Sequence, residues 1–155
     1  MRVGIVGNGE DKFTENGYEA AVELIRKLLS RNDTLVSGHS PVGGIDIWAE
    51  EVAAELGADT DIKIPEIHQW NPEGGYGYKA RNLDIAKTSE VVHVILADRY
   101  PEDYKGRRFK FCYHCARNEV MIPDFAGSHI KSGGCWTGYK AIEAGNRAEW
   151  HIIHN

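Results

Sequence analysis

Three cysteines fall in the last third of the chain at spacings that suit a metal. Cys112-Tyr113-His114-Cys115 is a C-x2-C element; His129 follows after thirteen residues and Cys135 after five more. Thiolates and an imidazole match the softness and tetrahedral preference of zinc. The C-x2-C turn can set two sulfurs on one ion, and the intervening loop can return the second pair. His114 and Asp124 are alternatives to His129 as the fourth ligand. Four Cys/His ligands leave no open position, so the expected zinc is structural rather than catalytic. An odd cysteine count also argues against a disulfide framework.

Glycine-rich segments form the second chemical signal. Gly7-Asn8-Gly9 follows the first apolar run. Ser37-Gly38 through Gly43-Gly44 follows the second, and Ser132-Gly133-Gly134 precedes the last helical pattern, with Thr137 expected in its first turn. Glycine lets backbone N–H groups approach a ligand closely, and a helix N-terminus adds unpaired N–H groups and partial positive charge. Together these make a site for phosphate or carboxylate. Ser37, Ser132 and Thr137 offer hydroxyl donors. No segment carries the G-x-G-x-x-G dinucleotide fingerprint or the Gly-Lys-Ser/Thr of a P-loop, so neither NAD binding nor ATP hydrolysis of that type is expected.

Five apolar runs are candidates for the strands that must hold these residues. They are Val3 to Val6, Thr34 to Val36, Ile62 to Ile64, Val91 to Leu96 and Trp150 to Ile153. The runs are continuous rather than alternating, as strands buried on both faces require. Helical spacing links Ala20, Ala21, Leu24, Ile25 and Leu28, and again Ile45, Trp48, Ala49, Val52, Ala53 and Leu56 before Gly57. Shorter helices are expected around Leu83, Ile85 and Ala86, and around Tyr139, Ala141 and Ile142 before Gly145. Alternating strands and helices predict one Rossmann-like α/β/α domain over residues 1–155, with a mostly parallel five-stranded sheet. Residues from about 98 to 132 follow neither period. Zinc binding, worth roughly 10–16 kcal/mol in small modules, would order such an irregular insertion.

Ser37-Gly38, Gly43-Gly44-Ile45-Asp46, Arg81-Asn82 and Ser132-Gly133-Gly134-Cys135-Trp136-Thr137, in that order, resemble the motif set of the SLOG superfamily. That superfamily includes the DNA-processing protein A family, the Lonely-guy phosphoribohydrolases and many small proteins. The resemblance spans about three-quarters of the chain. It implies a Rossmann-like fold, nucleotide-derived ligands and, in many members, a homodimer. Residue by residue, it implies that Gly38, Gly43, Gly44 and Asp46 form one ligand loop. Arg81 supplies a cation and Asn82 a hydrogen bond, while Gly133, Gly134 and Thr137 form the second phosphate loop. The chain departs from the pattern at His39, where glycine is common. It also lacks the proline and glutamate of the P-G-G-x-G-T-x-x-E loop of the Lonely-guy enzymes.

The remaining signals narrow the classes. In a chain of 155 residues with net charge -5, wholesale coating of nucleic acid or membrane is disfavoured, but a local anion site is not. No stretch approaches the apolar length of a membrane span, and the expected location is cytoplasmic. Lys105, Arg107, Arg108 and Lys110 form a basic run that could touch nucleic acid, though such runs are commonly solvated loops. Trp70, Tyr76 and Tyr78 could stack on a base. His68 has no evident partner, and His151 and His154 have no assigned role. The leading reading is binding of a nucleotide or nucleotide-derived phosphate ligand. The alternatives are an enzyme acting on a nucleotide N-glycosidic bond, with Glu10, Asp11 or Asp46 as its carboxylate, and a zinc-assisted nucleic-acid-binding protein.

Overall fold

The computed structural model describes residues 1–118 and 127–155. Five strands, β1 (Arg2–Gly7), β2 (Thr34–Ser37), β3 (Asp59–Ile62), β4 (Val91–Ala97) and β5 (Arg147–Ile153), form one parallel sheet in the order β3-β2-β1-β4-β5. The helices are α1 (Glu15–Leu28), α2 (Ile45–Leu56), α3 (Tyr78–Thr88), the short α4 (Tyr113–Arg117) and α5 (Gly133–Glu143). The chain winds outward from β1 to β3, then returns to the other side of β1. The order therefore reverses between β1 and β4, the place where open α/β sheets form ligand crevices.

Period-two alternation assigns each strand residue to a layer. Val3, Ile5, Leu35, Val91, Ile95 and Ala97 pack with Ala21, Ile25, Trp48 and Val52 of α1 and α2. Val6, Val36, Val92, Val94 and Leu96 face the other way, against Ile85 and Ala86 of α3 and Tyr139 and Ala141 of α5. The three buried cysteines belong to this second layer. The result is the three-layer Rossmann-like architecture expected from the sequence.

Of the boundaries that differ from the sequence reading, two bear on the site, each for a physical reason. The third strand is Asp59–Ile62, not 62–64, and only Ile62 is shared. It is an edge strand of partly exposed Asp-Thr-Asp character, so it has no apolar run to betray it. Ile64, which suggested the strand, is 56% exposed. The last helix starts at Gly133, so the glycine pair forms its first turn rather than a preceding loop, and Thr137 lies beyond that turn. Ser132 caps it, its Oγ accepting from the Gly134 N–H at 3.1 Å.

Candidate functional site

The carboxyl ends of β1 and β4 are joined by one side chain. Asn8 is buried; its Oδ1 accepts from the Ala97 N–H at 2.9 Å and its Nδ2 donates to the Lys131 carbonyl at 3.1 Å. It thus ties the first glycine turn to β4 and to the segment leading into α5. The neighbouring backbone is tightly nested. A Cβ on Gly134 would stand 3.2 Å from the Gly7 nitrogen, so the first turn of α5 lies directly against the end of β1. Gly44, at φ 85°, leaves no room for a side chain, since its Cβ would stand 2.4 Å from the Asn8 carbonyl oxygen.

These contacts frame a crevice of about 140 Å³ lined by Gly7, Asp46, Arg81, Gly133, Gly134 and Thr137, among others. Asn82 and Ser40 also line it. Arg81 is buried; its Nη1 donates to the Gly38 carbonyl and its Nε donates to Asn82 Oδ1 at 2.6 Å. Nearby, Asp84 accepts from the Tyr76 hydroxyl at 2.6 Å. Asp46 accepts from the Ser40 N–H at 3.2 Å. Burial raises its carboxyl to about 6, only partly opposed by the nearby Arg81 charge.

Other expected ligand residues stand behind this wall. Ser37 is fully buried, and its Oγ donates to Glu50 at 2.9 Å. Asn8 braces the scaffold as described. Gly38 offers its carbonyl to Arg81, Gly43 sits against Glu10, and Gly9 sits against Val42. His39, at φ 51°, has its Nδ1 2.8 Å from Glu50 Oε1, so the histidine standing where glycine is common is held by a carboxylate. Glu10 and Asp11 form a separate helical turn, Glu10–Lys12, after the first glycine segment.

A second, larger cleft of about 750 Å³ adjoins the crevice through Gly133. Trp70, Tyr113, Trp136 and Tyr139 give it aromatic walls; Arg117 and Lys131 give it positive charge, while Lys140 pairs with Glu143 at 2.8 Å. Trp70 and Trp136 meet edge to face at 4.9 Å. The sequence reading noticed Trp70 but missed Trp136, whose position one residue after Cys135 was the available signal. Tyr76 and Tyr78 are engaged elsewhere: the Tyr78 hydroxyl lies 2.8 Å from His68 Nδ1, the partner that sequence could not identify. In the basic run, Arg108 donates to the carbonyls of Pro101 and Glu102, so this cation stitches the insertion together.

Behind α5 the ligand atoms of Cys112, Cys115, His129 and Cys135 all lie within 4.8 Å of one another, and all four residues are buried. His129 Nε2 is 3.4 Å from Cys115 Sγ and 4.0 Å from Cys135 Sγ. A tetrahedral ion with bonds of about 2.0–2.3 Å separates such ligands by roughly 3.3–3.8 Å, so the donor set fits a metal. His129 Nδ1 lies 2.6 Å from the Ile130 carbonyl, which accepts its proton and leaves Nε2 as the lone-pair donor. Hydrogen bonding from Cys115, then Cys135, holds Cys112 well below the usual thiol range. The Cys112 contact pushes Cys115 up to about 11 and raises Cys135 as well. Three thiolates at this separation repel, and a divalent cation between them removes that penalty. His114 is outside the cluster, its ring lying 4.4 Å from Tyr113 in the cleft wall. Asp124, the other alternative, lies outside the described residues.

Among the described residues no helix is long and apolar enough to cross a membrane. No family model, curated protein or solved structure matches the chain.

Proposed function

We propose that this chain binds a nucleotide or nucleotide-derived ligand, its phosphate in the glycine crevice and its base in the aromatic cleft. The carrying observation is that Gly7, Arg81 and the Gly133-Gly134 turn, from three separate segments, line one crevice where the strand order reverses. The first turn of α5 supplies N–H donors and dipole, and Arg81 supplies fixed charge. The adjoining cleft extends the reading from phosphate to nucleotide, since stacking on Trp70 or Trp136 suits any base. This arrangement agrees with what the SLOG resemblance implies, and membership of that superfamily is part of the proposal.

Cys112, Cys115, His129 and Cys135 would hold a structural zinc. Cys135 lies in α5 directly after the glycine pair, so the metal would fix the N-terminus of α5 against the insertion. With four protein ligands, it would position backbone and take no part in chemistry.

Mass spectrometry of small molecules released from the purified protein tests the binding reading. A nucleotide-derived compound is expected, and Arg81→Ala should abolish its retention. Failure of a panel of nucleoside mono- and diphosphates to bind, with no compound released, would overturn the reading. A second reading, cleavage of a nucleotide N-glycosidic bond, is favoured by Asp46. It is a buried carboxyl raised to about 6 at the crevice wall, a suitable state for acid–base work. Release of free base from bound nucleotide, lost in Asp46→Asn, separates catalysis from binding alone.

A further inference from the structure

The face of the sheet opposite the cysteines carries another cluster of metal-binding side chains. His93 lies on β4 and pairs in register with Glu149 on the adjacent parallel strand β5; His151 follows two residues later. Parallel register and period-two alternation therefore put all three on one face. His93 shares the parity of Val91 and Ile95, which pack toward α1 and α2, whereas the cysteines pack with Val92, Val94 and Leu96. The two clusters are separated by the sheet itself.

His93 Nδ1 lies 3.0 Å from His151 Nε2 and 3.4 Å from Glu149 Oε2, and the three ligand atoms lie within 4.8 Å of one another. A single imidazole proton between three lone-pair atoms satisfies them poorly. A divalent ion with bonds of about 2.0–2.2 Å would span a set of this size and satisfy all three. The environment suits a ligand role. His93 is buried and His151 partly buried, so the imidazoles are held in place by the packing of the sheet. Glu149 is half-exposed and supplies the negative charge a dication requires.

We propose that His93, Glu149 and His151 form a second metal site, selective for a borderline divalent ion such as zinc or cobalt. Two imidazoles and one carboxylate disfavour calcium and magnesium, which take all-oxygen shells. Three protein ligands at a partly exposed strand edge leave a coordination position for water or a small anion. This site is chemically distinct from the thiolate site and does not depend on the nucleotide reading.

The test adds cobalt(II) to full-length protein whose thiol site has first been filled with one equivalent of zinc. One further equivalent is expected to bind, with visible ligand-field bands but no thiolate charge-transfer band. His151→Gln and Glu149→Gln are the variants of choice, because both positions are partly exposed. Each should weaken the second equivalent by more than about tenfold, since losing even an outer-sphere partner costs that much. Each should leave the zinc content of the thiol site unchanged. Cobalt that binds only by displacing zinc from the thiolates, or variants that bind it as the wild type does, would overturn the proposal. So would the absence of any second equivalent.

Discussion

Asp46 is the residue with the sharpest pH signature. Its folded pKa of about 6 exceeds the ordinary 3.8, mainly because burial penalises the charged form. Between these values the folded state binds more protons than the unfolded chain, so its contribution is fully present below about pH 4. That stability is lost as the pH rises through about 6. Asp46→Asn removes the penalty while keeping an acceptor for the Ser40 N–H. Urea melts should therefore show the variant gaining on wild type with rising pH, by about 3 kcal/mol at pH 7.5. A difference that stays flat from pH 4 to 7.5 would refute the assignment. Histidine identity can be tested by metal content: His129→Ala should reduce bound zinc sharply, and His114→Ala should leave it at the wild-type level, by atomic emission. At this scale the sequence was partly legible. C-x2-C spacing announced the cysteines, but only the fold distinguishes His129, turned inward, from His114, turned to Tyr113.

At the scale of elements, α5 bears the heaviest demands. Its first turn faces Gly7, its third residue is Cys135, and its later residues pack on β4. Gly134→Ala should raise intrinsic helix propensity while placing a methyl 3.2 Å from the Gly7 nitrogen, within the proposed phosphate site. Calorimetry with a nucleoside diphosphate is expected to show affinity reduced by more than about tenfold, with the melting temperature little changed. Affinity equal to wild type would place the phosphate elsewhere. The start of α5 was hidden in the sequence because two glycines do not read as helix. The start of α1 was hidden because its first turn, Glu15-Asn16-Gly17, is polar and exposed apart from its glycine; Thr14 caps it through the Gly17 N–H. β3 escaped for the edge-strand reason. By contrast β1, β2 and β4 are buried on both faces, and their apolar runs were plain. β5 was found only in its apolar second half, because Arg147 and Glu149 begin it at the sheet edge.

Across the whole molecule, the sheet order and the insertion answer different needs. The doubly wound topology is dictated by the alternation of apolar runs and helices, which is why it could be read from sequence. Among the described residues between β4 and α5, the short α4 is the one α-helix; Tyr100 and Tyr104 stack at 4.8 Å, and Arg108 lies over both rings. This segment is attached to the domain through the cysteine cluster, through Asn8 to the Lys131 carbonyl, through the Ile130 N–H to the Ala97 carbonyl, and through Asn155 to the Arg99 carbonyl. If the cluster holds a metal as proposed, a chelator under reducing conditions should therefore lower the melting temperature and speed proteolysis within 98–132. Cleavage in the sheet region should follow only on global unfolding. Equal proteolysis with and without metal would show that the cluster does not order the insertion.

Tyr139 gives this arrangement an optical consequence. Its hydroxyl donates to Cys115 Sγ at 3.1 Å, while its ring lies 4.9 Å from that of Trp150. Without a metal Cys115 keeps its proton, whereas as a metal ligand it would be a thiolate and a better hydrogen-bond acceptor, so the phenol beside it is polarised differently in the two states. The protein thus carries its own chromophore pair next to the thiols. Near-ultraviolet absorbance and indole emission should track occupancy without any added dye.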